Sequence, residues 1–253
     1  MNGISAVIIA YNEEQHIDRC LASLKGVVDE VVVYDSGSRD ATQYICRDFG
    51  ARLVIGPWEG YSNTKNKANL LATHEYILSL DADEALSDEL RASIIKAKEN
   101  MTGAYEFNRL NNYYGSWIRY GGFYPDKKVR LFPRREGRWE GQYVHEEMIL
   151  TPGTVIQHLE GDLLHYTCKD ITEHVERINK YSELAAREML EGHRIPRLWK
   201  ILFSPPARFI KGFFLKKGFL DGMPGFIVNI LSAYSVALRY VKLWLLKSQK
   251  PAL

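Results

Sequence analysis

Cysteine is scarce in this chain of 253 residues: Cys20, Cys46 and Cys168 are odd in number and show no metal-ligand spacing. That excludes a disulfide framework and a cysteine-based zinc site, and it makes reduced core thiols in a cytosolic protein the expectation. No glycine-rich phosphate loop occurs, since GxGxxG and GxxxxGK[ST] are both missing. A bound nucleotide would therefore be held by a metal and cationic side chains rather than by a backbone cradle. The first residues, MNGISAVIIAYNEE, lack a basic leader and pass straight into an apolar run, so no secretory signal is expected. Internal repeats and low-complexity segments are absent, and 46% hydrophobic with 25% charged residues excludes a disordered chain.

Acids are missing from one end. Beyond Glu191 there are 11 Lys and Arg and a single acid, Asp221, a balance of +10. Residues 1–191 carry 22 basic and 30 acidic residues, a balance of −8, so the net charge of +2 conceals a split chain. Such a basic tail points to an anionic surface. Its content of aliphatic and aromatic residues argues for membrane and against nucleic acid.

What is present begins with an alternation. ISAVIIA (4–10) is a continuous β-branched run, as in a strand covered on both faces. Ile17, Cys20, Leu21 and Leu24 then follow at helical spacing. EVVVYDS (30–36), a helix from about 40 to 49, ARLVI (51–55), a helix near 63–73 and YILSLDAD (76–83) continue the pattern. Ser87 is placed to cap a further helix, with Asp88 and Glu89 in its first turn. Four strand–helix alternations predict an α/β fold with a parallel sheet and right-handed crossovers. From Tyr105 to Tyr166 the texture shifts to Tyr, Trp, Arg and Gly with short runs, read as shorter strands and long loops. A helix over 170–191 follows, with Val175, Ile178, Ser182, Ala185 and Met189 as its stripe and Gly192 as its stop.

Ligands of open parallel sheets bind at the carboxyl ends of the strands. Three polar clusters fall there: AYNEE (10–14), YDSGSRDAT (34–42) and DADE (81–84). Asp81 and Asp83 share one loop and can reach one hard cation such as Mg2+ or Mn2+. Capping of the next helix explains them poorly, because Ser87, Asp88 and Glu89 already serve that end. Lys65 and Asn66 are suitable donors to a diphosphate, with a solvated Lys65 as the alternative.

SAVIIAYNEEQHIDRCLASL, VDEVVVYDSGSRDAT, TKNKA and YILSLDADE resemble, in order and spacing, the signatures of inverting family 2 glycosyltransferases with the GT-A fold. GGFYPDKKVRLFPR, VHEEM, LLHYT and KGFLDGMPGF resemble the lipooligosaccharide and lipopolysaccharide core β-1,4-glucosyltransferase subgroup. The resemblance implies a catalytic domain over 1–168, with a nucleotide-sugar half to about 102 and an acceptor half over 103–168, followed by a helical region at 169–253. It implies transfer of a sugar, glucose by the subgroup, from a UDP-sugar to a lipid-linked saccharide. Ala10, Tyr11, Asn12 and Glu13 would line the nucleobase and ribose pocket, and Asp35 would accept from uracil. Lys65 and Asn66 stand where an Arg-Asn pair is common. Asp81 would lie by ribose and metal, and Asp83 would be the main ligand to Mg2+ or Mn2+.

Inverting transfer also needs a base. Glu146 is preferred, with Asp126 and Glu147 as rivals, and His145 is a candidate nitrogen ligand to the metal. His165 reads as a satisfied structural histidine. Two other functions compete: a polyprenyl-phosphate glycosyltransferase, and a membrane-recruited module that binds a nucleotide sugar without turnover. In the tail, Pro205 and Pro206 are expected to divide RIPRLWKILFSPPARFIKGFFLKKGF. The segment 225–246 is long enough to span a bilayer, but Asn229, Arg239 and Lys242 interrupt it. Helices lying in the membrane interface are expected, which places the protein on the inner face of the cytoplasmic membrane. Packing against the catalytic domain or a second subunit is the alternative.

Overall fold

Ile4, Ala6, Ile8 and Ala10 of strand β1 (Ile4–Ala10) enter one apolar core, and Val7 and Ile9 enter another. Side chains alternate across a strand, so an uninterrupted apolar run means that both faces are covered. A computed structural model of the chain describes residues 3–141, 146–195 and 197–248. They form two compact units, Met1–Arg109 with Asp126–Tyr166 and Leu110–Pro125 with Thr167–Leu253.

In the first unit β1 is flanked by two parallel neighbours, β2 (Glu30–Asp35) and β4 (Tyr76–Asp81). Strand β3 (Arg52–Ile55) extends the parallel set beyond β2. Helices α1 (Ile17–Leu24), α2 (Thr42–Phe49) and α3 (Tyr61–Leu70) connect them. The spatial order β3-β2-β1-β4 means that the chain reverses its direction of travel between β1 and β4. The carboxyl ends at that reversal are where such sheets bind ligands. Register brings them level, with Ala10 opposite Asp35 and Ile9 opposite Asp81.

The remaining strands are β5 (Glu84–Leu86), β6 (Ala104–Tyr113), β7 (Ser116–Ile118), β8 (Asp126–Pro133), β9 (Gly137–Glu140), β10 (Glu147–Leu150) and β11 (Ile156–Cys168). The sheet continues from β4 as β8-β6-β11-β5, and β9 and β10 form a separate antiparallel pair. β8 runs antiparallel to both β4 and β6. Helix α4 (Asp88–Ala97) is capped as expected, the Ser87 hydroxyl accepting from Leu90 N–H. The three cysteines are buried free thiols.

The second unit is built on α5 (Ile171–Glu191), α6 (Leu198–Ile210) and α7 (Gly222–Ser248). A π-helical turn, Lys211–Leu215, and a 3-10 turn, Gly218–Asp221, join α6 to α7. The buried stripe of α5 is His174, Ile178, Ser182 and Ala186, so it follows an i, i+4 ridge that only partly overlaps the expected one. Pro205 and Pro206 do not divide the segment; both lie inside α6. The carbonyls they leave without an intrahelical donor belong to Ile201 and Leu202, and Leu202 is exposed.

Two of the three polar residues that interrupt 225–246 are internal fittings. Asn229 is fully buried and its amide donates to Gly225 O at 2.8 Å. A Cβ on Gly212 would come within 2.0 Å of Asn229 Oδ1, and one on Gly218 within 2.5 Å of Nδ2. Glycine at both positions lets the turn close on the amide. Lys242 Nζ donates to Asn179 O at 2.6 Å and to Ser182 Oγ at 2.9 Å, tying α7 to α5.

Candidate active site

All the expected site residues that the structure describes lie in the first unit, and a cluster of five charges organises them. Lys65 sits in the buried stripe Thr64, Lys65, Ala68 and Asn69 of α3 and is only 2% exposed. Its Nζ is 2.8 Å from Asp81 Oδ1 and 3.4 Å from Glu146 Oε1. Arg130 of β8, two residues before the core residue Phe132, is also buried. Its Nη2 reaches Asp81 Oδ2 at 3.0 Å and Glu84 Oε1 at 2.7 Å. Asp81 is thus gripped by two cations, one on each oxygen. Burial pushes its carboxyl up, but Lys65 and Arg130 outweigh that and hold it well below the usual carboxylate range. The same pairing holds Arg130 firmly protonated against the opposing effect of burial.

Trp139 of β9 forms the floor under both cations. Its ring centroid is 4.4 Å from Lys65 Nζ and 5.4 Å from the Arg130 guanidinium carbon, within cation–π range. The tryptophan is held by Asn66, whose amide donates to Trp139 O and accepts from Trp139 N–H, both at 2.8 Å. Both ends of the Asn66 amide are therefore occupied in positioning β9.

The acids of DADE divide by role. Glu84 is fully buried, accepts from Asp81 N–H at 3.0 Å and binds Arg130, so it anchors the turn. Cys20 lies beneath the same turn, its thiol 3.7 Å from Asp81 O. Burial and then Glu84, Asp83 and Asp81 push that thiol up, so it stays protonated and unreactive. Asp83 projects to the other side, with Oδ2 3.2 Å from His165 Nε2. His165, read from the sequence as a structural histidine, bonds to the motif itself.

Among the described residues no group of three or more His, Cys, Asp or Glu side chains is gathered as a metal cage. Donor atoms of the kind a divalent cation takes are present nonetheless. Asp83 and His165 supply an oxygen and a nitrogen donor, and their 3.2 Å contact is a hydrogen bond that a bound cation would have to replace. Protein oxygen and nitrogen would fill part of the shell and leave the rest to phosphate and water. His145, the expected nitrogen ligand, lies outside the described residues.

At the end of β1, Tyr11 and Asn12 are exposed and Ala10 is buried. Asn12 has φ 56°, a left-handed conformation that asparagine tolerates when its side chain bonds locally. Its Oδ1 accepts from Arg39 N–H and its own N–H donates to Ser38 Oγ, each at 2.8 Å. Glu13 N–H donates to Thr42 Oγ1 at 2.7 Å, so the loops after β1 and β2 are stitched together. Asp35 is fully buried and holds that second loop. Oδ1 accepts from Gly37 N–H, Ser38 N–H and Gln43 Nε2, and Oδ2 accepts from Ser38 Oγ. For Asp35 to accept from uracil, the Ser38 hydroxyl would have to turn away from Oδ2.

The three candidate bases occupy distinct settings. Asp126 accepts from Arg109 Nε and Nη2 at 3.0 and 2.7 Å and pairs with Lys128 at 3.0 Å. Burial pushes its carboxyl up, yet Arg109 and Lys128 bring it below the usual range, which makes it a weak proton acceptor. Glu147 opens β10 on the exposed side, opposite Glu140. Glu146 touches the cluster directly, through Lys65, whereas Asp126 reaches it only by way of Arg109, whose Nη1 lies 3.8 Å from Glu84 Oε1. Arg130, Trp139 and Arg109 are parts of the site that sequence reasoning passed over, and Glu84 was read only as a member of the DADE cluster. The signal for Arg130 was a lone arginine within the apolar part of KVRLFP.

The chain is 31% identical to an uncharacterised glycosyltransferase of Rickettsia typhi, over 96% of its own length and 87% of the relative's. It is 30% identical to the lipopolysaccharide core biosynthesis glycosyltransferase LpsC of Rhizobium meliloti, over 94% and 93%. A solved structure of glucosyl-3-phosphoglycerate synthase from Mycobacterium tuberculosis overlaps 44% of each chain at 22% identity with a TM-score of 0.37, too little to carry residues across. The family model for glycosyl transferase family 2 matches residues 5–152, a span that holds the parallel strands, Asp81, Asp83, Arg130 and Glu146. With that match and full-length relatives that are themselves glycosyltransferases, the chain belongs to glycosyl transferase family 2 and is a family 2 glycosyltransferase.

Proposed function

We propose that this enzyme moves a hexose, glucose, from a UDP-sugar to a lipid-anchored saccharide such as a lipopolysaccharide core, with inversion and with dependence on Mg2+ or Mn2+. The relative LpsC supports the acceptor class. The observation that carries the reading is Lys65, whose one ammonium joins the Asp-x-Asp turn to Glu146. It puts a cation for a diphosphate and a carboxylate for an acceptor at the same place.

In this reading Tyr11, Asn12 and Glu13 border the nucleobase and ribose. Asp35 shapes that border by ordering the loop on which Asn12 rests. Lys65 and Arg130 face the diphosphate, which competes with Asp81 for them. Asp83 and His165 would hold the divalent cation, with Asp81 beside it. When bound, the cation supplies positive charge to the departing diphosphate. Glu146 takes the proton of the acceptor hydroxyl as that oxygen bonds to the anomeric carbon. The bond from that carbon to the diphosphate breaks with its electron pair leaving on UDP. The basic second unit keeps the enzyme at an anionic membrane, where its acceptor resides.

Calorimetric titration of UDP with and without Mn2+, followed by turnover assays with a panel of UDP-hexoses, tests the proposal. Metal-enhanced UDP binding that Asp83→Ala removes, together with release of UDP in the presence of acceptor, is the expected result. Binding without turnover on any saccharide acceptor would mark a nucleotide-sugar-binding module instead. Transfer to a polyprenyl phosphate alone would mark the other competing function.

A further inference from the structure

We infer that α6 and the turn after it lie in the plane of an anionic bilayer, held there by α7. This rests on the membrane part of the reading above and makes it specific.

No residue of α6 is buried, and the side it turns outward is apolar. Leu198, Trp199, Leu202, Phe203 and Ile210 are each at least half exposed. At 100° per residue they fall within an arc of about 140° of the helix circumference. Arg197, Lys200, Arg208 and Lys211 fall on the remaining arc. A helix of a water-soluble surface has the opposite arrangement, with its apolar arc facing inward. The turn continues the theme: Phe214, Leu215, Phe219 and Leu220 are exposed, with Lys216 and Lys217 between them. Apolar patches of this kind, rimmed by cations, mark a membrane contact.

Charge identifies the occupant. Residues 192–220 contain seven Lys and Arg and no acid. None of the seven pairs with an acid among the described residues. The acid that follows, Asp221, is already used within the unit, since it accepts from Arg119 N–H at 3.1 Å and Tyr120 N–H at 2.8 Å. An acyl-chain interior for the aromatics and lipid phosphates for the cations match both halves of this surface.

Helix α7 with the 3-10 turn, Gly218–Ser248, is long and apolar enough to cross a membrane. Its polar residues argue for the supporting role. Asn229 is enclosed by Gly212 and Gly218, and Lys242 is bonded to α5. Both contacts fix α7 within its own unit, and Met223, Phe226 and Ile230 at its start are exposed beside the apolar face of the preceding turn.

The test uses the full chain with sonicated vesicles of phosphatidylethanolamine and phosphatidylglycerol. Leu202→Glu with Phe203→Glu is expected to lower vesicle partitioning at least tenfold, while UDP–Mn2+ binding and circular dichroism stay as in the parent. Leu70→Glu, at an exposed apolar position of α3, serves as the neutral control. Brominated acyl chains should quench tryptophan emission in the parent, and Trp199→Phe should remove most of that quenching, a readout that needs no disruptive substitution. A double variant that partitions normally, or quenching that survives Trp199→Phe, overturns the in-plane assignment while the membrane reading stands. A parent that ignores the vesicles sinks both. A lipid-free dimer that the double variant converts to monomer, with vesicle partitioning unaffected, would show that a second copy covers this face and would also overturn it.

Discussion

At the scale of residues, Lys65 decides how the site behaves. Removing Lys65 leaves Asp81 with Arg130 alone and Glu146 without its cation, so the cost should fall below the roughly 3–5 kcal/mol of a buried pair broken outright, at about 2–4 kcal/mol. Lys65→Met should lower stability in urea by about that much and weaken UDP binding. Adding Asp81→Asn should recover part of the stability but none of the binding, because the under-compensated carboxylate is gone while the diphosphate still lacks its cation. Full additivity of the two substitutions would show that the pair is not coupled. Glu146→Gln should keep UDP affinity and reduce turnover by roughly 10²–10⁴-fold, the usual contribution of a general base. Asp126→Asn should reduce turnover far less, since Arg109 and Lys128 already occupy that carboxylate. If steady-state kinetics show the reverse ranking, Asp126 takes the role of base.

At the scale of elements, α5 carries a titratable contact. His174 is buried in its inward stripe, and its Nδ1 shares a hydrogen bond with the Tyr114 hydroxyl. Burial, aided by Arg177, pushes the imidazole from 6.5 down to about 4. As pH falls through 6.5 the unfolded chain takes up a proton that the native state refuses. The contribution is complete above that pH and is lost progressively toward pH 4, a change on the order of 3 kcal/mol. Thermal unfolding followed across this window should show the loss, and His174→Phe should flatten it. An unchanged slope in the variant would assign the dependence to other groups.

The same elements show what a sequence discloses. β1, α1, the Ser87 cap and the four parallel alternations were readable because their signals are local: a two-sided strand, a helical period, a hydroxyl before two acids. The level ends of β1, β2 and β4 followed from the alternation, and with them the place of Asp81 and Asp83. Arg130 and Trp139 were not readable in that way. Their importance comes from meeting Asp81 and Lys65 across distant parts of the chain, through β8 pairing with β4 and β9 lying against α3. The stripe of α5 was displaced for the same reason, since its partner α7 selected an i, i+4 ridge that α5 alone does not specify. Pro205 and Pro206 were misjudged because an exposed helix face tolerates carbonyls that lack an intrahelical donor.

At the scale of the whole molecule, the charge split separates two responses to salt. Residues 1–191 carry the acidic balance of −8 and the remainder carries +10, so the proposed attraction to anionic lipid would originate in residues 192–253. Each cation near such a surface contributes about 1 kcal/mol, and that contribution fades as the Debye length shrinks to about 3 Å in 1 M salt. Exposed Trp199, Phe203, Phe214 and Phe219 add an apolar part, about 25 cal/mol per Å² of area removed from water, that salt does not screen. Co-sedimentation with anionic vesicles should therefore decline steeply with added salt and level off above zero. Neutral vesicles should capture only the small salt-independent fraction from the start. Complete release in high salt would mean that the aromatics stay in water and that charge alone recruits the enzyme. Equal capture by neutral and anionic vesicles would mean that the cations face away from the lipid. The intermediate outcome, a salt-sensitive part above a salt-resistant floor, is what this arrangement of lysines among exposed phenylalanines requires.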